Sequence, residues 1–319
     1  MDPNQIAEFI ASRLGDGERR LDANETAALA RQLEHIKART YDVKYPAFKA
    51  RKFIPVNSDT PSGAETITYR QWDQYGMAKV VANAADDLPL VDVVAKEFSS
   101  KVKSLGDGYT FSIQDLRASA MMGVALDQQR ANAARRAVEM AIDEIAAFGL
   151  PEAGIQGFLN HPNVPRVTVD FGNWDDPART AAEILADLNK LVNSIVTTTR
   201  EIHVPDTLIL DTKSFALLAS KAVGADLDRT ILQVFLNTSP YIRNVDQWHK
   251  LDRADAAGTG PRIVAYVRDP EILQLEIPQE FEQFPPQARN LAFVVPCHAR
   301  IGGTVIRYPL GMAYMDGVG

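Results

Sequence analysis

This chain has only one cysteine, no excess of basic residues and no long apolar run. Each of these absences excludes a class of protein. Cys297 is the single cysteine, so no intrachain disulfide can form, as is typical of a reducing compartment. The net charge of −7 leaves no basic surplus of the kind that nucleic-acid-binding domains carry. No apolar run approaches the ~18 residues of a membrane span, and the first residues lack a secretory pattern. We therefore expect neither secretion nor contact with a membrane.

Catalytic sequence patterns are also missing. The chain contains no GxGxxG, phosphate loop, GxSxG, HExxH or CxxC motif. Cys297 and His298 are adjacent, and adjacent strand residues point to opposite faces, so we interpret Cys297 as a small core residue. Asp175 and Asp176 could indicate a metal, but carboxylates at a helix start interact with the helix dipole equally well. We predict no catalytic, cofactor-binding or metal-binding residue.

The first part of the chain predicts two short helices, at residues 3–14 and 24–38. In the second helix apolar residues recur at helical spacing, Leu33 and Ile36 among them. Neither helix can form a core alone. We therefore predict an arm that packs on another surface.

Residues 65–82 predict two strands joined by a turn. Residues 65–72 alternate as a strand does, residues 73–75 form the turn near Gly76, and residues 77–81 return. Residues 90–94 and 98–102 are two further extended pieces. A two-stranded hairpin is marginally stable alone, so one that projects needs a neighbouring subunit. The alternative is an ordinary hairpin that lies on the core. Trp72 would be a projecting contact residue in the first case and a covered core residue in the second.

A long helix over residues 113–148 is the clearest element. Ser112 and Asp115 have capping-box spacing, and Gly149 and Pro151 end the helix. At 1.5 Å per residue, about 36 residues span roughly 54 Å, which makes the helix a strut.

In the rest of the chain predicted helices and strands alternate, as they do in an α/β lobe, and the chain ends in strands. The predicted helices cover residues 176–199, 212–222 and 228–236. The predicted strands cover residues 164–169, 207–210, 242–245, 262–267, 272–275, 291–295, 299–307 and 311–314.

This order of parts resembles the major capsid subunit of tailed bacteriophages with the Hong Kong 97-type fold. Three stretches carry the local resemblance: YPAFKARKFIPV at 45–56, ETITY at 65–69 and RIGGTVIRYP at 300–309. They are similar to the hairpin lead-in and final strands of a phage major capsid family once known only as a domain of unknown function. The resemblance covers nearly the whole chain.

The resemblance implies an α+β chain with an N-terminal arm, an extended β-hairpin called the E-loop, a spine helix in a peripheral domain, and an α/β axial domain. It divides the chain as follows: arm 1–47; peripheral strand and lead-in 48–64; E-loop 65–95; peripheral domain 96–165 with spine helix 113–148; axial domain 166–290; C-terminal strands returning to the core 291–319. The contact residues that we expect between subunits are Trp72, Tyr75, Met77, Lys79, Leu33 and Ile36.

The implied function is that of a structural subunit without enzymatic activity. Copies would form the pentamers and hexamers of an icosahedral shell that encloses phage DNA without sequence-specific binding. The implied location is the virion, assembled in the host cytoplasm, with scaffold, portal and decoration proteins as further partners. Some members of the fold form lysine–asparagine cross-links; Lys79 lies in the hairpin, but no motif assigns it a partner, so we predict none. The alternatives are an encapsulin-type nanocompartment, which packages a cargo enzyme, and a soluble oligomeric α/β enzyme.

Overall fold

A computed structural model describes residues 45–76, 90–122, 126–224 and 229–319 of the chain. The elements below all belong to one unit, residues 47–319. The predicted arm helices and the predicted return strand at 77–81 lie outside the described residues. Leu33, Ile36, Met77 and Lys79 lie outside them too.

The helices of the described residues are α1 (Ala50–Phe53), α2 (Ile113–Met122), α3 (Leu126–Phe148), α4 (Ala181–Thr198), α5 (Thr212–Ser220) and α6 (Ile231–Thr238). The strands are β1 (Val56–Asn57), β2 (Thr66–Tyr75), β3 (Asp92–Lys101), β4 (Lys103–Ser112), β5 (Gly149–Leu150), β6 (Ile155–Gln156), β7 (Arg166–Thr168), β8 (Thr207–Leu210), β9 (Asn244–Gln247), β10 (Arg262–Tyr266), β11 (Leu273–Glu276), β12 (Gln279–Gln283), β13 (Gln287–Arg289), β14 (Ala292–Ile301), β15 (Gly303–Ile306) and β16 (Met312–Asp316).

A five-stranded mixed sheet in the order β7-β16-β10-β8-β9 forms the centre of the α/β lobe. Its middle strands are buried on both faces, which explains their unbroken apolar sequences. Ile263 and Ala265 belong to the core shared with α4, α5 and α6. Val264 and Tyr266 belong to the core shared with α3. The sheet thus separates two cores, and the C-terminal strand β16 lies inside it.

A second sheet has β14 at its centre, with β12 and β13 along one edge and β4 along the other. β4 was not predicted, because Gly106, Asp107 and Gly108 are typical of a turn. All ten of its residues pair with β14, from Lys103 with Ile301 to Ser112 with Ala292. The tertiary pairing therefore overrides the local preference.

The β2–β3 hairpin corrects the predicted turn. Residues 73–75 are the last residues of β2, and the register runs from Thr66 opposite Lys101 to Tyr75 opposite Asp92. The return strand that pairs with β2 is therefore β3. The extended pieces at 90–94 and 98–102 are largely parts of this one strand.

The long helix is described as α2 and α3, and residues 123–125 between them lie outside the description. The predicted capping box is confirmed: the Ser112 hydroxyl accepts the Asp115 N–H at 3.0 Å, and the Asp115 carboxylate accepts the Ser112 N–H at 3.3 Å. α3 ends before Gly149, whose φ of 75° is left-handed.

The first helix of the α/β lobe begins later than predicted. α4 starts at Ala181, because Thr180 and Glu183 form a reciprocal capping box there. Asp176 instead accepts the Ala178 N–H in the preceding turn. The interpretation of Asp175 and Asp176 as helix-start carboxylates is therefore wrong. α5 and α6 keep their predicted places with ends shifted by two or three residues.

Candidate subunit interface

The β2–β3 hairpin divides into a packed root and an exposed outer half. On β2, Ile67, Tyr69 and Gln71 are half-buried, whereas every residue from Trp72 to Tyr75 is exposed. On β3 nearly every residue is exposed. The outer half of the hairpin therefore presents both of its faces to solvent.

Hydrogen bonds to the β14–β15 region fix the root of the hairpin. The Ser100 hydroxyl donates to the Gly302 carbonyl at 3.0 Å, and the Tyr69 hydroxyl donates to the Ile306 carbonyl at 3.5 Å. The Val102 N–H donates to the Glu65 carbonyl at 2.9 Å. The first two bonds hold the base of the hairpin against the turn between β14 and β15 and against the end of β15, and the third closes the base itself.

Cross-strand pairs stabilise the hairpin in place of a core. The Arg70 guanidinium lies 2.7 Å from the Glu97 carboxylate, and the Tyr69 and Phe98 rings stack with centroids 5.3 Å apart. Such pairs each contribute about 0.2–1 kcal/mol, which holds the register of a ribbon but does not cover its apolar side chains.

The predicted contact residues Trp72 and Tyr75 lie on opposite faces of the exposed half of β2. Trp72 is 63% exposed and Tyr75 is 55% exposed. The sequence reasoning missed the apolar residues of the return strand, since it divided that strand into two short pieces. Reading 90–102 as one strand would have found them. The missed exposed residues are Leu90, Val91, Val93, Val94 and Phe98.

A cleft of about 480 Å³ lies where the hairpin meets the loop after α4 and the turn before β16. The hairpin contributes Tyr69 and Phe98. Burial lowers the pKa of His161 and His203, so both imidazoles favour the neutral form. The remaining lining residues are Gln71, Asn163, Thr198, Thr199, Arg200, Ile202, Ile306, Arg307, Tyr308, Pro309 and Leu310.

Residues 49–52 connect the N-terminal side of the unit to three different elements. The Arg51 guanidinium bonds Glu280 of β12 at 2.8 Å and Glu139 of α3 at 3.2 Å. The hydrogen bond from Arg51 lowers the pKa of Glu280. Lys49 and Lys52 both pair with Asp246 of β9. This junction fixes the start of the described unit against both sheets.

Cys297 and His298 do not form a reactive pair. They are neighbours on β14, where Cys297 faces the core and His298 faces partly outward. Burial raises the pKa of the Cys297 thiol, which disfavours the nucleophilic thiolate.

The described residues offer neither a metal site nor a membrane-spanning helix. Within 45–76, 90–122, 126–224 and 229–319, no cluster of three or more histidine, cysteine, aspartate or glutamate side chains has the arrangement of a metal site. In the same ranges, no helix has the length and apolar character needed to cross a membrane.

Comparison with known proteins places this geometry among shell subunits. A family model described as "Major capsid protein" matches residues 76–318. No curated protein sequence matches the chain.

Solved structures match at low sequence identity. The capsid of Myoviridae phage XM1 has a TM-score of 0.80 at 15% identity, covering 91% of this chain and 98% of that one. The Mycobacterium phage Bobi structure has a TM-score of 0.64 at 12% identity, covering 92% and 98%. A virus-like particle from Pyrococcus furiosus has a TM-score of 0.50 at 14% identity, covering 83% and 90%. At these identities the likeness concerns the fold.

Proposed function

Because the chain belongs to the major capsid protein family, we propose that its copies assemble into the icosahedral shell of a tailed-bacteriophage virion, with the genomic DNA inside. The observation that carries the proposal is the exposed outer half of the β2–β3 hairpin. An apolar ribbon without a core of its own is a surface for a neighbour.

The kind of contact follows from the geometry of one chain. The hairpin and whatever surface receives it are different parts of the same molecule, so the contact between two copies is heterologous. Heterologous contacts repeat around an axis and close into rings when the rotation allows it. Pentamers and hexamers are the rings that an icosahedral shell requires.

We assign roles to the parts of the chain on this basis. Residues 65–95 act as the E-loop, with residues 1–47 as an arm and residues 48–64 as the lead-in. Residues 96–165 form the peripheral domain, residues 166–290 the axial domain, and residues 291–319 return to the core. Trp72, Tyr75, Met77 and Lys79 of the hairpin contact a neighbouring subunit, as do Leu33 and Ile36 of the arm.

The proposed shell needs no enzymatic step and no cofactor from this chain. It encloses DNA without reading its sequence, which agrees with the net charge of −7. Assembly takes place in the host cytoplasm, and scaffold, portal and decoration proteins are its further partners. No covalent cross-link joins the subunits.

The test is to express the chain alone and with its scaffold protein, then to examine both samples by negative-stain electron microscopy and mass photometry. We expect closed shells, or five- and six-fold rings. A small species that stays unassembled with scaffold and crowding agent would contradict the proposal. A ladder of covalent multimers on denaturing gels would contradict the absence of cross-links.

The contents of the particle separate the phage head from a nanocompartment of the same fold. The Pyrococcus furiosus virus-like particle shares the fold, which makes the second function worth testing. Particles purified from the native source are expected to contain DNA. A packaged enzyme in place of DNA would favour the nanocompartment.

A further inference from the structure

The cleft beside the root of the hairpin has the size of a small-molecule site. Its volume of about 480 Å³ lies within the range of roughly 300–1,000 Å³ that is usual for ligand pockets. The hairpin contributes Tyr69 and Phe98, and the turn after α4 contributes Arg200 and Ile202. Ligand pockets are mostly apolar with a few polar groups that fix orientation, and this lining has that character.

The turn after α4 is held in an unusual backbone conformation beside the cleft. Arg200 and Glu201 have φ angles of 53° and 67°, so two consecutive residues with side chains are left-handed. The Glu201 N–H donates to the Val196 carbonyl at 2.9 Å, and the His203 N–H donates to the Thr199 hydroxyl at 3.2 Å. Such conformations persist where the surrounding structure enforces them, and they cluster at binding sites.

The charge of the cleft restricts its ligand. None of the described residues that line it carries a carboxylate, whereas Arg200 and Arg307 both line it. Arg307 is already engaged, since its guanidinium donates to the Gln274 side chain at 2.6 Å and lies 3.7 Å from Glu276. The exposed Arg200 side chain forms no hydrogen bond or ion pair within the described part of the chain. One unpaired cation favours a ligand with one negative charge.

A buried histidine supplies a second polar group. His161 lines the cleft and is only 9% exposed, and its Nδ1 accepts the Asn163 N–H at 3.3 Å. Burial lowers the pKa of His161, which favours the neutral imidazole. A neutral imidazole that accepts at Nδ1 carries its proton on Nε2. This Nε2–H has no acceptor among the described residues, so an oxygen of a ligand would satisfy it.

Aromatic side chains make up much of the remaining lining. The Tyr69 and Phe98 rings stack with centroids 5.3 Å apart, and the His203 and Tyr308 rings lie 5.5 Å apart. Ile202 is 77% exposed beside them. Aromatic rings pack well against a further ring, either offset or edge to face. The body of the ligand should therefore be planar and apolar.

We propose that the cleft binds a small aromatic carboxylate. Arg200 supplies the countercharge for the carboxylate, and the Nε2–H of His161 donates to an oxygen of the ligand. The ring of the ligand packs against the aromatic side chains and Ile202. This binding site goes beyond the proposed shell function and does not depend on it.

Calorimetric titration of the full-length, unassembled subunit tests the chemical class. The probes are 2-naphthoate, its neutral counterpart 2-naphthalenemethanol, and the aliphatic carboxylate decanoate. We expect saturable binding of 2-naphthoate with a Kd below about 1 mM, which is modest for a ligand of this size. The alcohol and decanoate should each bind at least about fivefold more weakly, because each lacks one of the two recognised groups.

The three probes give outcomes that overturn different parts of the proposal. Absence of saturable 2-naphthoate binding overturns the site. Equal affinity for the alcohol overturns the role of the charge, and tighter binding of decanoate overturns the aromatic class.

Two exposed residues of the turn test where the ligand binds. Arg200→Gln should raise the Kd of 2-naphthoate about tenfold, as expected for loss of a hydrogen bond to a charged group. Arg268→Gln makes the same charge change at an exposed site outside the lining and should leave the Kd within about twofold of wild type. Ile202→Ala should raise the Kd about threefold, with the exposed Val204→Ala as its control. Wild-type affinity in Arg200→Gln overturns the proposal.

Nuclear magnetic resonance of the subunit labelled with ¹⁵N-histidine reports on His161 without a substitution in the buried site. Addition of 2-naphthoate should shift the Nε2 resonance of His161, because that proton gains an acceptor. His249 and His298 lie outside the lining and should not shift. A saturable titration that leaves the His161 resonances unchanged would place the ligand elsewhere and overturn the proposed site.

Discussion

The carboxylate of Asp143, buried on α3, accepts the backbone N–H of Ala50 at 2.9 Å. The same oxygen accepts the Lys49 N–H at 3.0 Å. One side chain of the long helix therefore caps α1 and ties the start of the described unit to the core. Burial raises the pKa of Asp143, because removal from water disfavours the charged carboxylate.

Asp143→Ala is expected to lower the free energy of unfolding by about 2–3 kcal/mol, because two backbone N–H groups lose their acceptor. Asp143→Asn keeps an acceptor oxygen and should cost less. Urea unfolding of the unassembled subunit measures both, with the exposed neighbour Glu144→Ala as control. Equal losses for Asp143→Ala and Glu144→Ala would show that the cap contributes nothing.

The ion pair between Arg51 and Glu280 should make the free energy of unfolding depend on pH. The sign is opposite to that expected for Asp143, because the pKa of Glu280 is lowered whereas that of Asp143 is raised. Its hydrogen bond to Arg51 lowers the pKa of Glu280 in the folded chain. The stabilisation is therefore present above the ordinary glutamate pKa of about 4.3 and is lost as the pH falls through the lower, folded pKa.

Glu280→Gln should thus lower the urea midpoint at pH 7, with a difference from wild type that shrinks as the pH falls towards about 3. High salt should shrink it as well, since the pair is partly exposed. Glu152→Gln, at an exposed site, controls for the loss of one negative charge. A difference that stays constant with pH would contradict the ion-pair explanation.

Local signals explain which parts of the fold could be predicted. The strand at Thr207–Leu210 and the Ser112–Asp115 cap depend on residues adjacent in sequence, and both were predicted correctly. β4 was missed because its Gly106 to Gly108 stretch forms a strand only by pairing with β14, almost 200 residues away. The cleft beside Arg200 could not be predicted at all, because its lining joins five separate stretches of the chain: 69–71, 98, 161–163, 198–203 and 306–310.

Arg262 is buried and forms a bidentate ion pair with the carboxylate of Asp316. Its Nε and Nη2 atoms lie 2.6 and 2.7 Å from the Asp316 carboxylate, and its guanidinium lies 4.5 Å from the centroid of the Tyr314 ring. Arg262→Lys should lower the free energy of unfolding by about 2–3 kcal/mol, because lysine can neither form the fork nor stack. The exposed Arg166→Lys is the control in the same unfolding assay, and an equal effect would contradict this role.

Gly149 ends α3 with a backbone that side chains rarely adopt. Its φ is 75°, and a Cβ there would lie 2.3 Å from the Ile155 carbonyl oxygen. Gly149→Ala is therefore expected to cost about 2–5 kcal/mol, from the left-handed backbone and the clash together, and to lower Tm by several degrees. Gly63→Ala, which meets no atom within 4 Å, should change Tm little. Similar Tm values for the two variants would show that the helix end rearranges without strain.

A substitution at Trp72 should affect the assembly of shells but not the folding of the subunit. Its side chain is exposed on the outer half of the hairpin, so Trp72→Ala should change the free energy of unfolding of the free subunit by less than about 0.5 kcal/mol. Burying the indole against a neighbour would make it an anchor of the interface, so the same change should lower the yield of shells about tenfold or more. Gln74→Ala, two residues along the same face of β2, is the matched control. Electron microscopy and mass photometry count the shells, and urea unfolding reports on the subunit. A yield equal to that of Gln74→Ala would exclude Trp72 from the contact, whereas a parallel loss of subunit stability would assign it to the fold instead.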